Sequence, residues 1–86
     1  MGTVVLALAM VGPHAYIGQG CIVNVHTTID HDVEISDFAH LGIGVRLCAG
    51  TKIGESAWLQ AGCITTYQSQ VARDHIVSVG TIVTTV

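Results

Sequence analysis

The chain has 86 residues, with three Lys or Arg against six Asp or Glu and a formal net charge of −3. So few cations leave no basic footprint for a phosphate backbone or an anionic membrane surface, which excludes nucleic-acid binding and electrostatic membrane attachment. Half of the residues are hydrophobic, but the apolar opening from Val4 to Val11 has no basic leader and is too short to span a bilayer, so it reads as the first part of a soluble fold.

The predicted elements are short strands, each ending on an aliphatic residue, and they recur at every sixth position. In chain order these residues are Val5, Val11, Ile17, Val23, Ile29, Ile35, Leu41, Leu47, Ile53, Leu59, Thr65, Val71, Val77 and Val83. All but Thr65 are aliphatic, a regularity that composition does not produce by chance. Four residues after each comes a small residue or Val, from Ala9 and Ala15 through Cys21, Thr27 and Val33 to Thr81, with His75 the exception. Residues two apart in a strand share a face, so the small residue and the next aliphatic point inward and the residue between them points out. Extended segments of about four residues, joined by two-residue corners, follow from this spacing. Gly20, Gly44, Gly50, Gly62 and Gly80 share one phase, three after the aliphatic, where a corner needs a positive φ. Three hexads close a triangular coil, and residues 18 apart stack as parallel strands roughly 4.8 Å apart. The chain is thus one domain, residues 1–86, an all-β solenoid of about four coils. The hexad period does not fix its hand.

Each outward position falls in one of three columns. Tyr16, Glu34, Lys52 and Gln70 form a solvated column with an opposite-charge pair at Glu34 and Lys52. Met10, Thr28, Arg46, Ile64 and Ile82 form a mixed one. Ile22, His40, Trp58 and Ile76 form a stripe holding the only Trp, more apolar surface than a small monomer leaves wet. This stripe is the expected subunit interface, and a homotrimer built on it would add core area that so short a solenoid lacks. Exposed coil ends leave end-to-end stacking open as well. Cys21 and Cys63 face inward on different sides more than two coils apart and cannot pair, so a reducing cytoplasm fits the three cysteines.

Five histidines stand out in a chain with so little charge. His31 and Asp32 adjoin in the corner after Ile29, and His40 follows nine residues on. A carboxylate beside an imidazole fixes its tautomer and raises its basicity, as a general base for a hydroxyl or amine requires. The same pair also reads as a turn Asp beside a solvated His.

The run Ile29-x-His31-Asp32-x-x-Ile35-x-x-Phe38-x-His40, within Val23 to Leu41 and continuing through Leu47-Cys48-Ala49-Gly50-Thr51-Lys52-Ile53-Gly54, resembles bacterial sugar O- and N-acetyltransferases of the sialic acid O-acetyltransferase family. The resemblance implies a left-handed parallel β-helix and acetyl transfer from acetyl-CoA to a sugar hydroxyl or amine, with no metal. It implies His31 as general base and Asp32 as the group that activates it. His40, Ala49, Ala61 and Val79 take the coenzyme positions, with an amide near Ala49 facing the thioester oxygen. Relatives carry an N-terminal substrate domain and a C-terminal closing segment, and the expectation is that this chain lacks both. Half a coil separates His31 from His40, so they would meet only across a subunit boundary.

Two other functions compete with acetyl transfer. One is a non-catalytic trimeric module for assembly or ligand binding. The other resembles the γ-type carbonic anhydrases, with His26 and His31 at the close spacing that a zinc pair would use.

Overall fold

The computed structural model describes residues 2–86. Fourteen two-residue strands alternate with two-residue corners, and one extended residue flanks each strand on either side. The first coil carries β1 (Val4–Val5), β2 (Met10–Val11) and β3 (Tyr16–Ile17). The second carries β4 (Ile22–Val23), β5 (Thr28–Ile29) and β6 (Glu34–Ile35). The third carries β7 (His40–Leu41), β8 (Arg46–Leu47) and β9 (Lys52–Ile53). The fourth carries β10 (Trp58–Leu59), β11 (Ile64–Thr65) and β12 (Gln70–Val71), and β13 (Ile76–Val77) and β14 (Ile82–Val83) stack above it.

Parallel pairing at a register of 18 sorts the strands into three sheets, as in Val5↔Val23 and Trp58↔His40. The tryptophan face is β1-β4-β7-β10-β13, the arginine face β14-β11-β8-β5-β2, and the lysine face β12-β9-β6-β3. The molecule is a left-handed parallel β-helix, all-β and without a helix among the described residues. No helix among the described residues is long and apolar enough to cross a membrane.

From Val23 on, the hexad aliphatics form a single column of core, whereas Val5 and Val11 in the first coil are exposed and Ile17 is partly buried. Val23, Ile29, Leu41 and Leu59 are fully buried, as are the small partners Val33, Val45, Ala57 and Cys63. Cys21 and Cys63 lie buried and unpaired, their thiols directed at the carbonyls of Ser36 (3.1 Å) and Ser78 (3.0 Å). Thr65, the one polar residue in the aliphatic series, is buried too. Its Oγ1 lies 2.8 Å from Thr51 Oγ1 and accepts the Cys48 N–H at 3.2 Å, while Thr51 donates to Cys48 O at 2.8 Å. One assignment of hydrogens satisfies all three contacts as a closed ring, so the hydroxyls are buried without penalty. His75 occupies an inward phase yet is exposed.

The corners hold more strain than the glycines alone suggest. All thirteen second corner residues have positive φ, and eight of them are not glycine: Leu8, His14, His26, Asp32, Phe38, Ser56, Gln68 and Asp74, at 57–61°. Asp and His tolerate this conformation better than most side chains do. Phe38 is held there with its ring over Gly20, where an added Cβ would come within 2.5 Å of it.

Candidate functional site

His31 and Asp32 form the corner between the arginine and lysine faces. Neighbouring side chains diverge in extended chain, but at this corner His31 Nδ1 and Asp32 Oδ2 are 2.8 Å apart. The corner is tied on three sides. His31 N donates to Asp30 Oδ1 (2.7 Å), Asp32 N donates to Pro13 O in the coil below (3.1 Å), and Gly50 N donates to His31 O from the coil above (3.2 Å).

The hydrogen bond to Asp32 raises the His31 pKa above its ordinary 6.5. The charges of Asp30 and Asp32 add to the rise, and desolvation opposes it. With the Nδ1 hydrogen committed to the carboxylate, the lone pair of neutral His31 is on Nε2. Both side chains are more than half exposed, so Nε2 can meet a substrate proton. Chemically this is an oriented, strengthened base.

Ala49 is the corner residue stacked one coil above His31, and its carbonyl accepts from Gln68 N at 2.9 Å. Base, partner and Ala49 therefore share one edge.

The other three expected residues gather elsewhere. His40, on the tryptophan face, and Ala61 and Val79, on the edge between the tryptophan and arginine faces, line one groove of about 380 Å³ with Gly42, Ile43 and Trp58. His40 and Trp58 are register partners whose rings stack at 5.5 Å between centroids and 11° between planes. The lining is mostly apolar and aromatic, with Asn24 and Gln60 as amides. That chemistry suits an alkyl-amide arm ending in a thioester. Gly42 keeps the floor low, since a Cβ there would come 2.8 Å from the Ala61 backbone nitrogen.

The six residues thus form two groups on different edges, and within one chain the structure does not bring them together. Trp58, which sequence reasoning assigned to the interface, is a wall of this groove. Asn24, Gly42, Ile43 and Gln60 were missed. The 18-residue step was the available signal, because Asn24, Gly42 and Gln60 share one column and Ile43, Ala61 and Val79 another. His26 and His31 lie on different edges, and no group of three His, Cys, Asp or Glu among the described residues is placed to hold a metal ion.

No known family profile matches the chain. Among solved structures, it superposes on the acetyltransferase domain of PglB from Neisseria gonorrhoeae, determined with acetyl coenzyme A, at a TM-score of 0.97 and 30% identity. That match covers 99% of this chain and 42% of the other. It also superposes on a variant of the GDP-perosamine N-acetyltransferase from Caulobacter crescentus, determined with CoA and GDP-perosamine, at 0.96 and 28% identity over 98% of this chain and 40% of the other. The chain spans about two fifths of the length of these structures. The resemblance read from the residues is matched in three dimensions: the neighbours are sugar N-acetyltransferases built on this β-helix.

Proposed function

We propose that this β-helix transfers an acetyl group from acetyl-CoA to the amine or hydroxyl of a sugar, and that it does so as a cytoplasmic homotrimer. The observation that carries the reading is the His31–Asp32 pair at 2.8 Å, with Nε2 free, on a fold shared with coenzyme-bound acetyltransferases.

Acetyl-CoA, when bound, supplies the activated acetyl thioester. The chain's own residues supply the rest. His31 Nε2 takes the proton from the acceptor nitrogen or oxygen as that atom attacks the acetyl carbon, and Asp32 stabilises the imidazolium that results. The proton then passes from His31 to the departing coenzyme sulfur as the carbon–sulfur bond breaks. The Ala49 amide is assigned to the developing oxyanion. His40, Trp58, Ala61 and Val79 hold the arm of the coenzyme, so orientation contributes as much as proton transfer.

Base and groove lie on different edges, so a working site needs two copies. About a threefold axis, the tryptophan face of one copy turns toward the lysine face of the next, and the neighbour's His31 edge closes on the groove. The stripe Ile22, His40, Trp58 and Ile76, in which Trp58 is 39% exposed and Ile76 60%, then becomes both contact surface and groove wall.

The test is calorimetric titration of acetyl-CoA into the purified protein and into His40→Ala, with the mass of the assembly measured in parallel. Micromolar binding to a trimer, weakened in the variant, is the expected result. No heat from an intact trimer would leave a scaffold without its coenzyme and overturn the proposal. Once an acceptor turns over, His31→Ala is expected to abolish the reaction without altering the assembly.

A further inference from the structure

The edge that carries the base is one hydrogen-bonded ladder. Asp32 N donates to Pro13 O (3.1 Å), Gly50 N to His31 O (3.2 Å) and Gln68 N to Ala49 O (2.9 Å). Its successive rungs are therefore His31, Ala49 and Tyr67, each 18 residues and one coil above the last. Tyr67 is 72% exposed, and no Phe, Trp or other Tyr stands on this edge. Its corner is pinned at both shoulders: Thr66 Oγ1 lies 2.5 Å from Ser69 Oγ, which donates to Thr66 O at 2.8 Å. The ring thus projects from a fixed place on the same ladder as the base.

We propose that Tyr67 binds the coenzyme across the subunit boundary, packing on the alkyl-amide arm that lies in the neighbouring copy's groove. The proposal rests on the acetyl-transfer reading and adds a wall that no residue of the groove's own chain supplies. Copies related by a threefold axis parallel to the solenoid stand at one height, so residues that meet across the cleft have similar ranks in the climb. Position 67 falls between 61 and 79, and so between Ala61 and Val79 on the facing edge. Those two side chains are short, and Val79 is 68% exposed, which leaves that side of the groove uncovered. One coil, roughly 4.8 Å, separates Tyr67 from Ala49, whose amide is assigned to the thioester oxygen. At that remove from the reacting carbon, the arm presents methylenes and an amide. A phenol suits both, its face against the methylenes and its hydroxyl toward the amide.

The experiment is calorimetric titration of acetyl-CoA into the parent, Tyr67→Ala, Tyr67→Phe and a mixed trimer, with the mass of each assembly measured. The mixed trimer comes from co-expressing Tyr67→Ala and Trp58→Ala chains under different tags. Whatever its stoichiometry, it contains one boundary at which an intact Trp58 faces an intact Tyr67. Tyr67→Ala is expected to bind about fivefold more weakly as an unaltered trimer, and Tyr67→Phe to stay within about twofold of the parent. The mixed trimer is expected to regain one site of parent affinity. Parent affinity in Tyr67→Ala overturns the proposal and leaves coenzyme binding standing. A mixed trimer without a parent-affinity site also overturns it, because Tyr67 would then act within its own chain. So does a Tyr67→Phe protein as weak as Tyr67→Ala, since the ring would carry nothing. A parent that binds acetyl-CoA as a monomer removes the role of Tyr67 alone, whereas a parent trimer that gives no heat removes the acetyl-transfer reading itself.

Discussion

Thr65→Val separates what the repeat alone suggests from what the packed structure requires. By the hexad rule, position 65 asks for an aliphatic side chain, and replacing a fully buried hydroxyl by a methyl would add about 0.8 kcal/mol of burial. The structure opposes this. Thr65 Oγ1 closes the ring with Thr51 and the Cys48 amide, with contacts of 2.8 and 3.2 Å. Valine leaves the partly buried Cys48 N–H without its acceptor, which costs about 1–3 kcal/mol, and forfeits the Thr51 contact, worth about 1 kcal/mol. The balance is a destabilisation of about 2 kcal/mol, or a fall in Tm of about 10 °C for a domain of this size. Thermal and urea unfolding at one fixed protein concentration measure it, since assembly would otherwise shift the midpoint. Thr51→Val/Thr65→Val should lose less than the sum of the single variants, because the two hydroxyls belong to one network. A Thr65→Val protein as stable as the parent would refute the ring. The corner that this ring braces carries Ala49, so the variant should also lower turnover.

His31 must be neutral to accept a proton, and its pKa is raised, so kcat/KM should fall as pH drops through a value above 6.5. In Asp32→Asn the largest cause of that rise is gone: the acidic limb of the pH profile should move to lower pH while the plateau drops about tenfold or more, and an unmoved limb would detach Asp32 from the base. The folded-state pKa is the raised one, so the pair's contribution to folding is fully present below 6.5 and is lost as pH climbs through the folded value. Gly54→Ala should destabilise by more than about 2 kcal/mol in urea unfolding, since its Cβ would lie 2.5 Å from Arg73 N and 2.8 Å from Ala72 C, backbone that cannot yield. Gly44→Ala, with open space around it and φ at 68°, should cost only about 1 kcal/mol; equal losses would contradict the close coil contact at Gly54. Trp58→Ala should weaken acetyl-CoA binding about tenfold by calorimetry, because its ring walls the groove; the mass of the assembly is measured in parallel, since the same ring lies on the proposed contact surface, and unchanged affinity would move the coenzyme elsewhere.

The sequence alone determined the solenoid. A period of six with inward residues two apart admits one way of burying the aliphatics, so coil length, register and the three outward columns could be read before any coordinates. Backbone geometry at the corners was only partly legible. The five glycines marked the positive-φ phase, but Asp32 and Phe38 hold the same conformation because stacked coils impose it, whatever the local preference. The candidate base was visible as an adjacent pair, but adjacency left a solvated turn open. Only the folded corner, which turns both side chains to one side, places Nδ1 and Oδ2 at 2.8 Å. The groove was hidden for a different reason. Asn24, Gly42 and Gln60, like Ile43, Ala61 and Val79, come from successive coils and meet because each coil sets residues of one phase above the last. The repeat dictates which residues stack; the three-dimensional path of the chain dictates which edges they share, and here it puts base and groove on different ones.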